Sequence, residues 1–359
     1  MTDAILAGWQ TRIRAAAAAR TPLAIRGGGT KSFLGGVPRG EPFDTREYAG
    51  IVEYEPTELV ITARAGTPLA DIEATMAAAG QMLAFEPPRF GPGATLGGTI
   101  ATGLSGPRRP YAGAARDFVL GVRVVDGRGD DLTFGGRVMK NVAGFDVARL
   151  MTGAMGTLGV ISEVSLKCLP LPKAEATRTF QLSADEAIHR VNEWGGRPLP
   201  LSATAYVKGV LYVRFSGAAP AVESACAKLG GAAVADGAAF WSSVREQTHP
   251  HFAAAREAGA SLWRLSVRST APYADLGGEQ LIEWGGALRW LAAGPRADAS
   301  KLRAWARDHG GHATLFGGTD RTAGAFHPLP EPVLALHRRL KAGFDPHGIF
   351  NPGRLYAAL

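Results

Sequence analysis

The run RGGGTKS, Arg26 to Ser32, has the residue types best suited to binding chemistry. Gly27, Gly28 and Gly29 present successive backbone N–H groups with no side chain in front of them. Such a turn can curl into a concave nest that holds an anion. Thr30 and Ser32 add hydroxyl donors, and Arg26 and Lys31 add positive charge. This donor set suits a pyrophosphate; a flexible turn is the alternative reading. The run is not a P-loop, because Thr30 rather than a glycine precedes Lys31. It is not a Rossmann fingerprint either. The glycine pairs 27/29, 91/93 and 127/129 meet Ser32, Leu96 and Leu132 where a third glycine belongs.

Two more glycine-rich stretches follow. Residues 93–109, GATLGGTIATGLSGPRR, are mostly small, with Thr95, Thr99 and Thr102 as donors without bulk. They suit either a long flat ligand or a tightly packed short helix. Residues 153–161, GAMGTLGVI, read as a helix-to-strand passage with close backbone approach, or as a plain helix stop.

The elements that must position these loops follow from pattern. A helix is expected over 4–19 and strands over 50–55 and 59–64. Thr67-Pro68 reads as the opening of a helix that Gly80 stops. A hairpin over 119–134 turns at Asp126-Gly127. A short helix over 145–154 leads to a long strand over 156–171, ending at Pro170 and Pro172. Those prolines mark a domain exit. Beyond them, helices at 184–194, 219–229 and 298–309 and strands at 203–216 and 261–268 suit a sheet covered on one side. The last 25 residues read as turns.

Composition narrows the class. The 359 residues allow about two domains. They include 47 Gly, 26 of them before residue 160, while all eight His and both Cys lie after it. At 46% hydrophobic and 20% charged the chain can build its own core, which excludes general disorder. A net charge of +7 favours anionic partners. No basic run or basic helix interleaved with aromatics supports nucleic-acid binding. Cys168 and Cys226 form no CxxC, no metal site is expected, and no nucleophile elbow is present. Charged Asp3, Arg12 and Arg14 stand where a signal peptide would be apolar, and no apolar stretch spans a membrane. A cytoplasmic location is expected, peripheral to the inner membrane if a partner anchors it there.

Four segments in order carry a resemblance: RGGGTKS, GATLGGTIATGLSGPRR, KNVAGFDVARLMTGAMGTLGVISEVSLK (140–167) and FDPHGIFNPGRL (344–355). Together they resemble the FAD-binding oxidoreductases of the vanillyl-alcohol oxidase (PCMH) type. The run from Lys140 is similar to the smaller FAD-binding subunits of bacterial glycolate oxidases. The resemblance implies an α+β fold. Its FAD-binding domain, of two α+β subdomains, would span 1–172. A smaller ferredoxin-like α+β cap would span 173–335, and 336–359 would return to the first domain. It implies that Arg26, Gly27, Gly28, Gly29, Thr30, Lys31 and Ser32 wrap the pyrophosphate. Thr95, Leu96, Gly97, Gly98, Ala101 and Gly103 would line the path to the flavin ring, with Pro87 and Arg108 also on the cofactor. Gly156, Gly159, Val160 and Ile161 would meet the adenosine side. Lys140 and Asn141 would lie near the cofactor, and Asn351 at the isoalloxazine edge. No His or Cys precedes Cys168, so FAD is expected to be non-covalent.

The same resemblance implies a small 2-hydroxy acid such as glycolate as substrate. It also implies partners: a larger FAD subunit and an iron–sulfur subunit. A non-catalytic FAD scaffold or electron relay is the alternative, because the HxGDGNxH-like stretch of many relatives is absent. Only Gly311-His312-Ala313 stands near its place. His312, as base or carboxylate binder, and Arg268 are the catalytic candidates. Arg264 and Arg268 read as carboxylate ligands on one sheet face or as solvated charges, and His249-Pro250-His251 as loop surface. A flavin reductase using NADPH shares the fold and stays open.

Overall fold

The computed structural model describes residues 2–136, 146–294, 297–318 and 321–359. Lys140 and Asn141 lie outside the described residues. The chain forms two compact units. The first is Met1–Ser105, Ala114–Leu171 and Pro328–Leu359; the second is Gly106–Gly113 and Pro172–His327. The sequence carries no signal for the excursion of Gly106–Gly113. Contacts within the second unit hold it: Trp284 Nε1 donates to Gly106 O at 3.1 Å, and Arg108 pairs with Glu175 at 2.6 Å.

In the first unit, α1 (Thr2–Ala19) buries Leu6, Trp9, Ile13, Ala16 and Ala17, which recur at helical spacing along one face. They pack with Leu23, Phe43, Tyr48, Val125, Val160, Ile349 and Phe350 in one cluster. Each large side chain in it contributes about 1.5–3 kcal/mol. β1 (Leu23–Arg26) pairs in parallel with β2 (Glu41–Asp44), and Leu23 also bridges Phe350. The C-terminal turn is thus stitched beside the strand that delivers Arg26 and the glycines.

The main sheet of this unit is antiparallel. It contains β3 (Ile51–Glu55), β4 (Val60–Arg64), β5 (Val119–Val125), β6 (Asp131–Gly135) and β7 (Val160–Lys167), in the order β3-β4-β7-β5-β6. α2 runs over Leu69–Ala78 and α3 over Leu96–Thr102. Thr67 does not cap α2; Pro68 stands at the cap. The Thr67 hydroxyl instead accepts from Gly50 N and donates to Arg64 O, tying two strand ends. The β5–β6 turn is wider than Asp126-Gly127. Asp126 N donates to Asp130 O, and its carboxylate accepts from Arg128 N and Asp130 N. The strand expected from residue 156 begins only at Val160, because Gly153, Met155 and Gly156 have positive φ.

The second unit is an eight-stranded antiparallel sheet. Its strands are β8 (Ala174–Gln181), β9 (Leu201–Val207), β10 (Val210–Gly217), β11 (Ala232–Ala233), β12 (Ser261–Ser266), β13 (Gly278–Glu283), β14 (Leu288–Ala293) and β15 (His312–Gly317). Their order is β11-β8-β10-β9-β13-β14-β12-β15. Two ferredoxin-like quartets are therefore joined edge to edge through β9 and β13. In the first quartet, α4 (Ala184–Gly195) and α5 (Ala219–Leu229) cover one face. The second has α6 (Ala299–Asp308) in the place of α5, but a loop where α4 would stand. The expected strand over 203–216 is a hairpin, turning at Lys208-Gly209 where both residues have positive φ. The sheet is covered on both faces, not one. The helix Gly237–Arg245 packs Trp241 on Ala203 and Ala205, and the helix Pro250–Glu257 packs Phe252 on Trp290.

The last segment is not all turns. α7 (Glu331–Phe344) carries Lys341, whose ammonium is buried. Lys341 Nζ donates to Thr157 O, Phe350 O and Asp345 Oδ2, each at 2.7 Å. Asp345 in turn accepts from Ile349 N and Phe350 N.

Candidate functional site: a backbone cradle in the first unit

Gly27 to Ser32 leave β1 as a loop lining a cavity of about 380 Å³, within the usual range for small-molecule sites. Thr95, Gly98, Ala101, Thr102, Met155 and Asn351 complete much of the wall. A smaller cavity of about 60 Å³ shares Arg26, Gly27, Gly98, Ala101 and Asn351 and adds Gly97, Gly156, Gly159 and Ile161. The three glycine-rich stretches thus converge. Gly153 N donates to Ile100 O and Met155 N to Ala101 O, fixing the third stretch on the end of the second.

The convergence demands glycine. A Cβ on Gly28 would sit 1.4 Å from Gly93 O, and one on Gly27 would sit 2.2 Å from Thr95 Oγ1. Gly29 has φ +72°, which closes the turn that Ser32 N and Oγ make on Gly29 O. The backbone N–H groups of Gly27, Gly28, Gly29 and Thr30 donate to no described protein atom. Four donors at a glycine turn, beside a cavity, are the chemistry an FAD pyrophosphate requires. The residues present therefore fit FAD.

The charged members Arg26 and Lys31 line the same cavity and also make contacts with the protein. Lys31 is buried, and its ammonium donates to Arg89 O at 3.4 Å. Arg26 is exposed and lies 3.8 Å from Asp44, whose carboxyl is held below its ordinary value chiefly by hydrogen bonding to Arg46.

Asn351 joins the pieces. Its Oδ1 accepts from Ile25 N and its Nδ2 donates to Met155 O, both at 2.7 Å. Its φ of +41° is one that asparagine tolerates better than most residues. Asn351→Asp would set an oxygen against Met155 O. FAD retention should weaken by about 1–3 kcal/mol, with far-UV dichroism unchanged. An equilibrium dialysis series checks this.

Several expected residues lie outside the lining. Leu96 and Val160 are buried in the core. Gly103 is the left-handed stop of α3, and Pro87 is buried in the segment before Arg89. Arg108 belongs to the second unit and pairs there with Glu175. Thr102, named in the sequence only as a donor, lines the cavity, as do Met155 and Arg354, which the sequence reading missed. Arg354 lines the cavity and donates to Gly36 O and Ser32 O, bracing the loop after the glycines. It sits within the quoted C-terminal motif, so a signal was present.

The catalytic candidates fall in the second unit. Arg268 is exposed and donates to His309 O and Asp308 O at the end of α6. It holds a helix terminus. His312 stands at the exposed start of the edge strand β15, with its pKa drawn below the ordinary value by partial desolvation of the ring and then by Arg264. His249 is not loop surface: its Nδ1 accepts from His251 N at the start of a helix. No group of three or more potential His, Cys, Asp or Glu metal ligands occurs among the described residues.

His251 is 3% exposed, and burial pulls its pKa from 6.5 down to about 4. The unfolded chain takes up this proton first as the pH falls. Stability is therefore full above about pH 6.5 and is lost as the pH approaches 4, by at most about 3 kcal/mol. Melting temperatures from pH 7 to 4.5 should fall less steeply in His251→Gln than in the parent.

Family models match two parts of the chain. One described as FAD binding domain covers residues 8–135, and one described as FAD linked oxidases, C-terminal domain, covers residues 318–355. Glycolate oxidase subunit GlcE of Escherichia coli (strain K12) is 49% identical over 340 residues, 95% of this chain and 94% of that protein. Glycolate oxidase subunit GlcD of Bacillus subtilis (strain 168) is 32% identical over 160 residues, 44% of this chain and 34% of that protein. A D-lactate dehydrogenase of Anaerostipes hadrus is 34% identical over 147 residues, 41% of this chain and 30% of that protein. Among solved structures, an alkyldihydroxyacetonephosphate synthase shares the fold, with TM-score 0.66 and 16% identity. The match covers 96% of this chain and 73% of that one. Fold, cradle and relatives agree: the chain belongs to the PCMH-type FAD-binding oxidoreductase family, in company with the GlcE subunits. FAD is the cofactor of this family's FAD-binding domain.

Proposed function

We propose that the chain is the smaller FAD-binding subunit of a glycolate-oxidising complex. In that complex a 2-hydroxy acid becomes a 2-oxo acid, and electrons leave through partner subunits. The observation that carries the reading is the cradle: four unspent N–H donors at Gly27–Thr30 beside a cavity that Asn351 closes. The near full-length match to a protein named as a glycolate oxidase subunit supports the substrate and the complex.

FAD, when bound, supplies the redox chemistry. The protein's own part is to bind and orient. Gly27–Thr30 would hold the pyrophosphate through backbone N–H groups, and Thr95, Gly98 and Ala101 would line the path toward the ring. Gly156, Gly159 and Ile161 would approach the adenosine side. Binding would be non-covalent: Cys168 is fully buried, with its thiol pushed up to about 12 by burial. A larger FAD subunit and an iron–sulfur subunit are the partners of this reading. No helix among the described residues is long and apolar enough to cross a membrane. Peripheral attachment on the cytoplasmic side is therefore proposed to come through the partners.

A second reading, electron relay or scaffold, is favoured by one observation. Arg268 is engaged with the end of a helix rather than free for substrate. Anaerobic glycolate addition separates the two. Bleaching of the flavin in the isolated chain supports oxidation by this subunit. Bleaching only after partner subunits are added supports relay, and no bleaching in the assembled complex contradicts both.

A further inference from the structure

One side chain in the wall of the cradle has no place in the cofactor reading so far. Arg354, in the turn that follows Asn351, is 7% exposed and lines the cavity with Ser32 and Pro38. Its Nη2 donates to Ser32 O at 3.1 Å and its Nη1 to Gly36 O, so one planar fork spans both ends of the segment 32–36. Gly36 N donates back to Arg354 O at 2.9 Å. The approach requires glycine: a Cβ on Gly36 would sit 2.2 Å from Gly353 O. Arg354 N donates to Asn351 O at 3.1 Å, which ties the fork to the residue that joins Ile25 to Met155.

The segment 32–36 continues the glycine turn. Ser32 N and Ser32 Oγ both donate to Gly29 O, so the place of Ser32 decides where Gly29 and the N–H groups before it point. The front of the loop is held by the close contact of Gly28 with Gly93, and its back by Arg354. Donors in such a nest act together only when they converge, and holding them in place beforehand spares the ligand that cost. Charge adds to position. Arg26, Lys31 and Arg354 line the cavity, and no Asp or Glu is among its described lining residues. Arg26 is exposed and stands beside Asp44, whereas Lys31 and Arg354 are buried. Lysine carries its charge on a flexible stem. A guanidinium is planar, keeps its charge when buried, and can grip two carbonyls while its field acts on an anion nearby. A pyrophosphate diester is an anion and riboflavin is neutral, so a positive wall distinguishes them.

We propose that Arg354 sets the selectivity of the cradle for a pyrophosphate-bearing flavin. Its fork positions the glycine turn from behind, and its charge favours an anion in the cavity. The role rests on the FAD reading above and adds to it a positioning and specificity-determining residue supplied by the C-terminal turn.

The test is a titration of the flavin-stripped full chain with FAD and, separately, with ADP, at low and at high salt. In the parent both ligands should bind more weakly as salt rises. Arg354→Met should bind both at least about tenfold more weakly and lose part of the salt dependence, with circular dichroism unchanged. Arg354→Lys should keep the parent's salt dependence but recover only part of the affinity, because an ammonium cannot span Ser32 O and Gly36 O as the fork does. Arg338→Met removes an exposed charge on α7 that pairs with Glu331, and should bind as the parent does. If Arg354→Met fails to fold, Arg354→Lys carries the test through weakened affinity at unchanged salt dependence. The proposal is overturned if Arg354→Met binds ADP as the parent does, or if Arg354→Lys binds FAD as the parent does. It is also overturned if Arg354→Met loses affinity with its salt dependence intact, which marks a brace without a charge role. A parent that binds no FAD contradicts the cofactor reading itself, whereas FAD-binding parent beside unaffected variants contradicts only the role of Arg354.

Discussion

Gly28→Ala should yield a protein that purifies without FAD. The added Cβ would stand 1.4 Å from Gly93 O, a backbone atom that cannot rotate away. Relief requires the loop of Gly27–Ser32 to part from the Gly93 turn, at a cost of about 3 kcal/mol, or roughly a hundredfold in affinity. Most of the core should survive, because α1 and the five-stranded sheet do not rest on this contact. Flavin absorbance after reconstitution checks the first point and circular dichroism the second. Gly353→Ala is the control: it alters the same region, and nothing lies within 4 Å of the added Cβ. Its own positive φ of +73° should cost stability but leave the cradle in place.

Lys341→Met should be the most destabilising single change in the first unit. It removes three hydrogen bonds and leaves the Asp345 carboxylate, wholly buried, without its cation. Breaking a buried pair from one side costs about 3–5 kcal/mol. Burial already draws the Lys341 pKa downward, which Asp345 partly offsets. For a unit of this size the loss should lower the melting temperature by about 10 °C. The lost bonds include one to Thr157 O, in the third glycine-rich stretch, so FAD retention should fall as well. Adding Asp345→Asn should recover part of the stability, and a double-mutant cycle measures how much.

The parts legible in the sequence are those in which a backbone requirement dictates residue type. Gly27 and Gly28 must be glycine because other atoms occupy the place of a Cβ. Asn351 must present a donor and an acceptor at once from a positive-φ position. Lys341 was illegible for the opposite reason. In a helix that shows Val333 and Leu336 to solvent, the pattern puts a lysine outside, yet three carbonyl and carboxylate oxygens bury it. Arg264 was legible as a sheet-face residue but not as a half-buried one. Alternation along β12 identifies two faces without saying which helix covers each. The doubling of the ferredoxin-like quartet left no sequence period, because a loop replaces the first helix of the second copy. The quoted motifs found most of the cradle. They missed Met155, which acts through its carbonyl, and such a role leaves no mark on residue type.

The central claim is that the glycine cradle of the first unit holds FAD without a covalent bond. The direct measurement is the absorbance spectrum of the purified chain after reconstitution with FAD and removal of excess, followed by acid precipitation. A flavin spectrum near one FAD per chain, with all of the flavin released to the supernatant, is the expected result. A colourless protein, or flavin that stays with the precipitate, would contradict it.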